Sequence, residues 1–242
     1  MRRVAACIAV VVCLGAAGAS HHNIDLQATS EQPGNTVADD TSADLKALEE
    51  MLGNSRRPRW WVEAPALTIL GSVMNYRPGN GSEYVATSER LSNTDIDEMV
   101  NDLTGALHVL SAGKYLKFAS VNILSAPAGS TVNVATPDHI VVGRFKGLRQ
   151  TTKAVGLGGR RTRQDRTIMT GLVILDSDYD RTSPKRHLLR THELGHALGY
   201  NHVRSRESIM NLHLGPSPNG FDYKAARIAF GPRMPGFPRA HQ

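Results

Sequence analysis

The chain has 242 residues, 40% hydrophobic and 21% charged, an ordinary globular balance that allows one domain with a sizeable core, alone or with a pro-segment. Its only cysteines, Cys7 and Cys13, lie in the N-terminal apolar segment, so a chain that has lost that segment has no disulfide and no thiolate metal site. The net charge of +6 is uneven: acidic residues crowd 31–50, while 144–190 carries twelve Lys or Arg against four Asp.

The opening residues MRRVAACIAVVVCLGAAGAS have the pattern of a signal peptide. Arg2 and Arg3 form a positive start, Val4 to Leu14 a short apolar core, and Ala17-Gly18-Ala19 a small-residue site with cleavage after Ala19. The apolar run is short for a membrane span and no second one follows, so the expectation is a secreted or periplasmic protein with no span after signal removal. Residues 20–59 are polar and are expected to form a leader or pro-segment. A short helix is possible over Ala43 to Leu52, and Arg56-Arg57 is a weak processing candidate. A folded domain is expected over 60–231, followed by a Pro- and Arg-containing tail at 232–242.

Within that domain, Ala66 to Val73 reads as a strand. Residues 94–110 read as an amphipathic helix with Ile96, Met99, Val100, Leu103, Leu107 and Leu110 on one face. Asp95, Asp97 and Glu98 crowd its first turn, where negative charge is favoured. Lys117 to Leu124 and His139 to Phe145 read as strands, 147–166 as a Gly- and Arg-rich loop, and Thr167 to Leu175 as another strand. The basic run GGRRTRQDR has no aromatic interleaving. It is expected to be a solvated loop, with no specific nucleic-acid partner. Asp176, Asp178 and Asp180 alternate like the start of a calcium loop. Arg181 replaces the glycine expected at the sixth position and His187 the glutamate at the twelfth, so a surface loop is favoured over Ca²⁺.

The chemistry concentrates in HELGHALGYNH, residues 192–202. Ser183 and Pro184 suit the start of a helix. His192 and His196 then fall four apart on one helical face, where both imidazoles can meet one ion. Glu193 is turned about 100° away, within reach of a water at that ion. Gly199 can end the helix and turn the chain back, letting His202 complete the set. Three neutral imidazoles leave a fourth position for water, as in a catalytic zinc site. His108, His139, His187, His213 and His241 read as surface or core residues.

HELGHALGYNH resembles the metzincin pattern HExxHxxGxxH, and Ser208-Ile209-Met210-Asn211 resembles the Met-turn that follows it. The closest likeness is to bacterial matrixin-like proteases. The resemblance implies an α+β catalytic domain over 60–231: a mixed twisted sheet, a long N-terminal helix, an active-site helix and a small C-terminal subdomain ending in a helix. It implies one catalytic Zn²⁺ on His192, His196 and His202, with Glu193 as general base and Met210 beneath the metal as support, alongside Gly199. TGLVILDSD resembles the edge strand that lies along the substrate, which would make Leu172, Val173, Ile174 and Leu175 substrate-binding. His213, Leu214 and Pro216 are expected, by the same likeness, to wall the pocket. Asp222 to Phe230 reads as the closing helix.

The chain departs from the family in three places. It has no pro-segment cysteine, no His- and Asp-rich loop for a structural zinc, and Leu212 stands where some relatives carry a tyrosine. A second Met-turn look-alike, Ser72-Val73-Met74-Asn75, lies upstream of the histidines and is read as strand or turn. The expected function is a secreted, monomeric zinc endopeptidase acting on protein or peptide substrates. The competing expectation is a non-catalytic secreted protein that binds zinc or polyanions, and the intact Glu193 argues against it.

Overall fold

The computed structural model describes residues 27–28, 42–53, 61, 63–76, 86–132 and 136–231. The signal-peptide pattern, its cleavage near Ala19, Arg56-Arg57 and the tail at 232–242 lie outside the described residues. The class is α+β. Among the described residues the strands are β1 (Gln27–Ala28), β2 (Ala66–Leu70), β3 (Asn75–Tyr76), β4 (Ala86–Thr87), β5 (Val121–Leu124), β6 (His139–Phe145), β7 (Gly156–Thr162) and β8 (Ile168–Asp176). The helices are α1 (Ser42–Leu52), α2 (Asn93–Leu110), α3 (Leu148–Thr152), α4 (Ser177–Thr182), α5 (Arg186–Leu198) and α6 (Gly220–Phe230).

Six strands form one sheet in the order β1-β7-β8-β6-β2-β5. β8, β6, β2 and β5 run parallel, β7 is antiparallel to β8, and β1 is antiparallel to β7. The parallel strands need crossovers, and α2 supplies the one between β2 and β5. Successive side chains of a strand point to opposite faces. Accordingly Ile140, Val142, Val173 and Leu175 enter the core with the helices, while Val141, Leu172 and Ile174 enter a second cluster with Met74, Tyr76 and Ala86 of the β3–β4 region. α5 packs on β7 and β8, and α2 packs on α5.

Helix α2 begins where its sequence says it should. Ser92 and Asp95 form a reciprocal capping box, and Met99, Leu103, Ala106, Leu107 and Leu110 are buried. Several expectations need correction. The stretch 147–166 is not one loop: it holds α3 and the seven-residue strand β7. β8 is not an edge strand, because β6 pairs on one side of it and β7 on the other. The strand expected from Lys117 is shorter, and all four residues of β5 are exposed. α5 starts at Arg186, later than Ser183-Pro184 suggests; Ser183 instead ends α4, and its hydroxyl accepts the Lys185 N–H. α1 falls within the segment expected to be a polar leader, yet Ala47, Leu48, Met51 and Leu52 are buried in the main core.

Candidate metal centre

Helix α5 is buried along its whole second half, and one face of it carries His192 and His196. Gly199 ends it with φ of +124°, a conformation that favours glycine, and its N–H closes on the Gly195 and His196 carbonyls. The chain turns back there, and His202 meets the other two. The three Nε2 atoms lie 3.0, 3.2 and 3.3 Å apart. Nitrogens bound tetrahedrally at zinc distances would be about 3.3 Å apart. The triangle therefore fits one small divalent ion, and it is the group among the described residues with this geometry.

The backbone sets the tautomers. His192 Nδ1–H donates to the Ile209 carbonyl at 2.6 Å, and His196 Nδ1–H donates to the Tyr200 carbonyl at 2.9 Å. Each Nε2 then carries its lone pair towards the shared point. Burial, with the charge of His202 adding to it, pushes His192 down to about 3. Burial also lowers His202 to about 4, helped by Arg204 and His213. His196 is lowered too, first by burial and then by the neighbouring histidines. The site thus offers neutral imidazoles at ordinary pH, which is the form that binds metal. His192 and His196 are buried, whereas His202 is half-buried and marks the solvent side.

Glu193 is fully buried on the same helix. Its carboxylate lies against β7, where a Cβ built on Gly156 would come within 2.5 Å of Glu193 Oε1. A Cβ on Gly158 would meet the Glu193 carbonyl and the His196 Cβ. The glycines of β7 are what let the strand run this close to the helix. Met210 is buried under the histidines' helix, and a Cβ on Gly195 would strike its sulfur. The glycine inside the motif is thus matched to the methionine downstream.

The turn that carries Met210 is held by α6. Asp222 accepts from the Ser208 hydroxyl and the Ile209 N–H, and the Ser208 hydroxyl in turn accepts the Met210 N–H. Because the Ile209 carbonyl orients His192, Asp222 lies one peptide unit from a histidine contact. Burial pushes the Asp222 carboxyl up, against the hydrogen bonds that hold it down. Behind the motif, Arg190 is buried and forms a two-point pair with Asp180, with both contacts at 2.8 Å. It also reaches Asp102 at 2.8 Å and Glu98 at 3.1 Å on α2. Arg144 of β6 shares Asp180 and extends to Asp95.

His192, His196 and His202 come together; Gly199 ends the helix between His196 and His202, Glu193 is buried on that helix, and Met210 is buried against its Gly195. Leu172, Val173, Ile174 and Leu175 do not: they are buried in β8, one strand away, with Val173 opposite Gly158. β7 is the strand that runs beside Glu193 and His196, and sequence patterning missed it because glycine carries no apolar signal. The alternating aspartates are committed elsewhere. Asp176 caps α4 and accepts the Arg149 N–H, Asp180 pairs with two arginines, and Asp178 is exposed on α4. Met74 lies in the second core cluster. Asp222 and Arg190 carried no motif signal, since each acts through a partner distant in sequence. No family model and no curated protein matches the chain.

Proposed function

We propose that the chain is an exported zinc-dependent endopeptidase of the metzincin kind. The observation that carries this is the convergence of the Nε2 atoms of His192 and His196 on α5 with that of His202 on the following loop, with Glu193 buried on the same helix as the first two. His192, His196 and His202 would hold the ion. When bound, zinc supplies Lewis acidity to water and to a carbonyl oxygen. Glu193 takes a proton from the attacking water as the C–O bond forms. It returns that proton to the departing amine as the C–N bond breaks, so one water is consumed and the carboxylate is restored. Metal binding alone does not need Glu193, which favours hydrolysis over a purely zinc-binding role.

The outer edge of β7 supports a peptide as substrate. It runs beside Glu193 and His196, and β1 pairs there antiparallel, with Gln27 opposite Gly158 and Ala28 opposite Leu157. The chain's own β1 holds that edge here, and an extended peptide taking its place would be held by the same backbone bonds. Export rests on the N-terminal signal pattern of the sequence.

The experiment is a digest of a peptide library by the purified chain, with and without chelator, beside Glu193→Ala. Zinc bound by both proteins, with cleavage by the wild type alone, is the expected result. Cleavage by Glu193→Ala would sink the mechanism. Bound zinc without cleavage by either protein would point to a non-catalytic metal-binding role.

A further inference from the structure

His192 and His196 are fixed by a buried helix, but His202 hangs on a loop. That loop is tied on both sides of the histidine to α1. Before it, the Asn201 N–H donates to the Met51 carbonyl at 2.9 Å. After it, Glu50 Oε2 accepts from the Arg204 N–H at 2.7 Å and from the Ser205 N–H and hydroxyl at 3.0 Å each. Asp44, two turns earlier on α1, pairs with Arg206 and with Lys224 of α6. The helix itself is anchored by Ala47, Leu48, Met51 and Leu52, all buried in the main core.

We infer that α1 is a clasp for the third metal ligand: Glu50 is a positioning residue of the centre, and residues 42–53 belong to the metal-binding unit rather than to a removable leader. This rests on the metal-binding function proposed above. The last carbonyls of a helix have no partner within it, and Met51 finds one in the loop. A carboxylate that collects two successive backbone N–H groups fixes the turn between them, and charged acceptors make the stronger bonds. Elsewhere the loop is held by the Val203 N–H on the Met210 carbonyl, by Asn211 Nδ2 on Val203 and Arg206, and by Arg160 on Asn201. None of these fixes the backbone of 204–205, the stretch that Glu50 takes up directly. A pro-segment cut that preserved the centre must therefore fall before residue 42.

The test is zinc affinity, measured by chelator competition in the full chain, for wild type, Glu50→Ala, Glu50→Gln and Leu70→Ala. Leu70 is buried in the second cluster, away from α1, so its truncation controls for general loss of stability. Partners that orient metal ligands typically change affinity 10- to 100-fold, so Glu50→Ala should bind about tenfold more weakly, with Leu70→Ala within about twofold of wild type. The Co²⁺-loaded Glu50→Ala protein should also show a shifted visible absorption band. Affinity unchanged in Glu50→Ala, or an equal loss in Leu70→Ala, overturns the inference. Should Glu50→Ala fail to fold, Glu50→Gln decides: it keeps the shape but exchanges a charged acceptor for a neutral one. Weaker zinc binding and a shifted Co²⁺ band support the clasp, and unchanged values overturn it. A wild-type chain that binds no zinc overturns the metal-binding function itself, a different result from a binding wild type with indifferent variants.

Discussion

Three imidazoles can share an ion only when each presents a lone pair at the same moment, and two backbone carbonyls arrange this for His192 and His196. Ile209 and Tyr200 take the Nδ1 protons, so neither ring has to turn when an ion enters. His202→Ala should leave two ligands, and metal analysis after dialysis should show zinc lost from the variant and about one ion per wild-type chain. His192, Glu193 and His196 were legible in the sequence because ligand spacing on a helix is a local property, and the glycine break at Gly199 made His202 legible with them. The glycines opposite were not legible. Gly158 has no positive φ, so its backbone would accept alanine; the obstacle is the helix above it. Gly158→Ala should cost about 1–3 kcal/mol by overpacking, read as a lower denaturation midpoint, because the clash falls on the backbone of α5 rather than on a mobile side-chain tip.

Among the elements, α5 owes its placement to charges as well as to packing. Asp180 is buried between Arg144 and Arg190, and these two arginines tie β6, α4 and α5 to Asp95, Glu98 and Asp102 of α2. Burial works against the charge on Arg190, and the bonds to Asp180 and the field of Asp102 more than offset it. Asp180→Ala leaves two buried guanidinium groups short of their shared partner. The expected loss is about 3–5 kcal/mol in denaturant unfolding, the range for breaking a buried pair by removing one side. The extent of α2 and of β6 could be read from periodicity, since each buries one face or both with apolar side chains. β7 escaped because the face it turns to the helix is hydrogen, at Gly156 and Gly158. The network escaped for a different reason. Asp180 in DSDYDR resembles a calcium ligand until Arg190, ten residues on, is seen to turn back to it.

At the scale of the whole molecule, the acid limb of stability should be set partly by the surface of α2. Hydrogen bonding from Arg186, against burial and together with the charge of Arg190, holds Glu98 below its ordinary range. A carboxyl lowered in the folded state adds stability above its unfolded pKa of about 4.3, and that stability is lost as pH falls through the folded value. The gap in stability between wild type and Glu98→Gln should therefore be flat above about pH 5.5 and shrink below about pH 4, as measured by urea unfolding across pH. The domain boundary was the least legible feature of the chain. α1 could be foreseen as a helix, but its membership of the core could not, because its buried face is four residues among those described and their partners lie far along the sequence.

The two ends of the sheet differ, and the difference bears on solubility. One end is finished by β1 against β7, while at the other β5 pairs only with β2 among the described residues and presents Val121, Ile123 and Leu124 to solvent. A bare apolar edge is a template on which a neighbouring molecule can add its own strand. Concentrated stocks should lose monomer through this edge. Ile123→Lys should slow that loss in light scattering while leaving zinc content unchanged, since the charge lies at the far border of the sheet from the histidines.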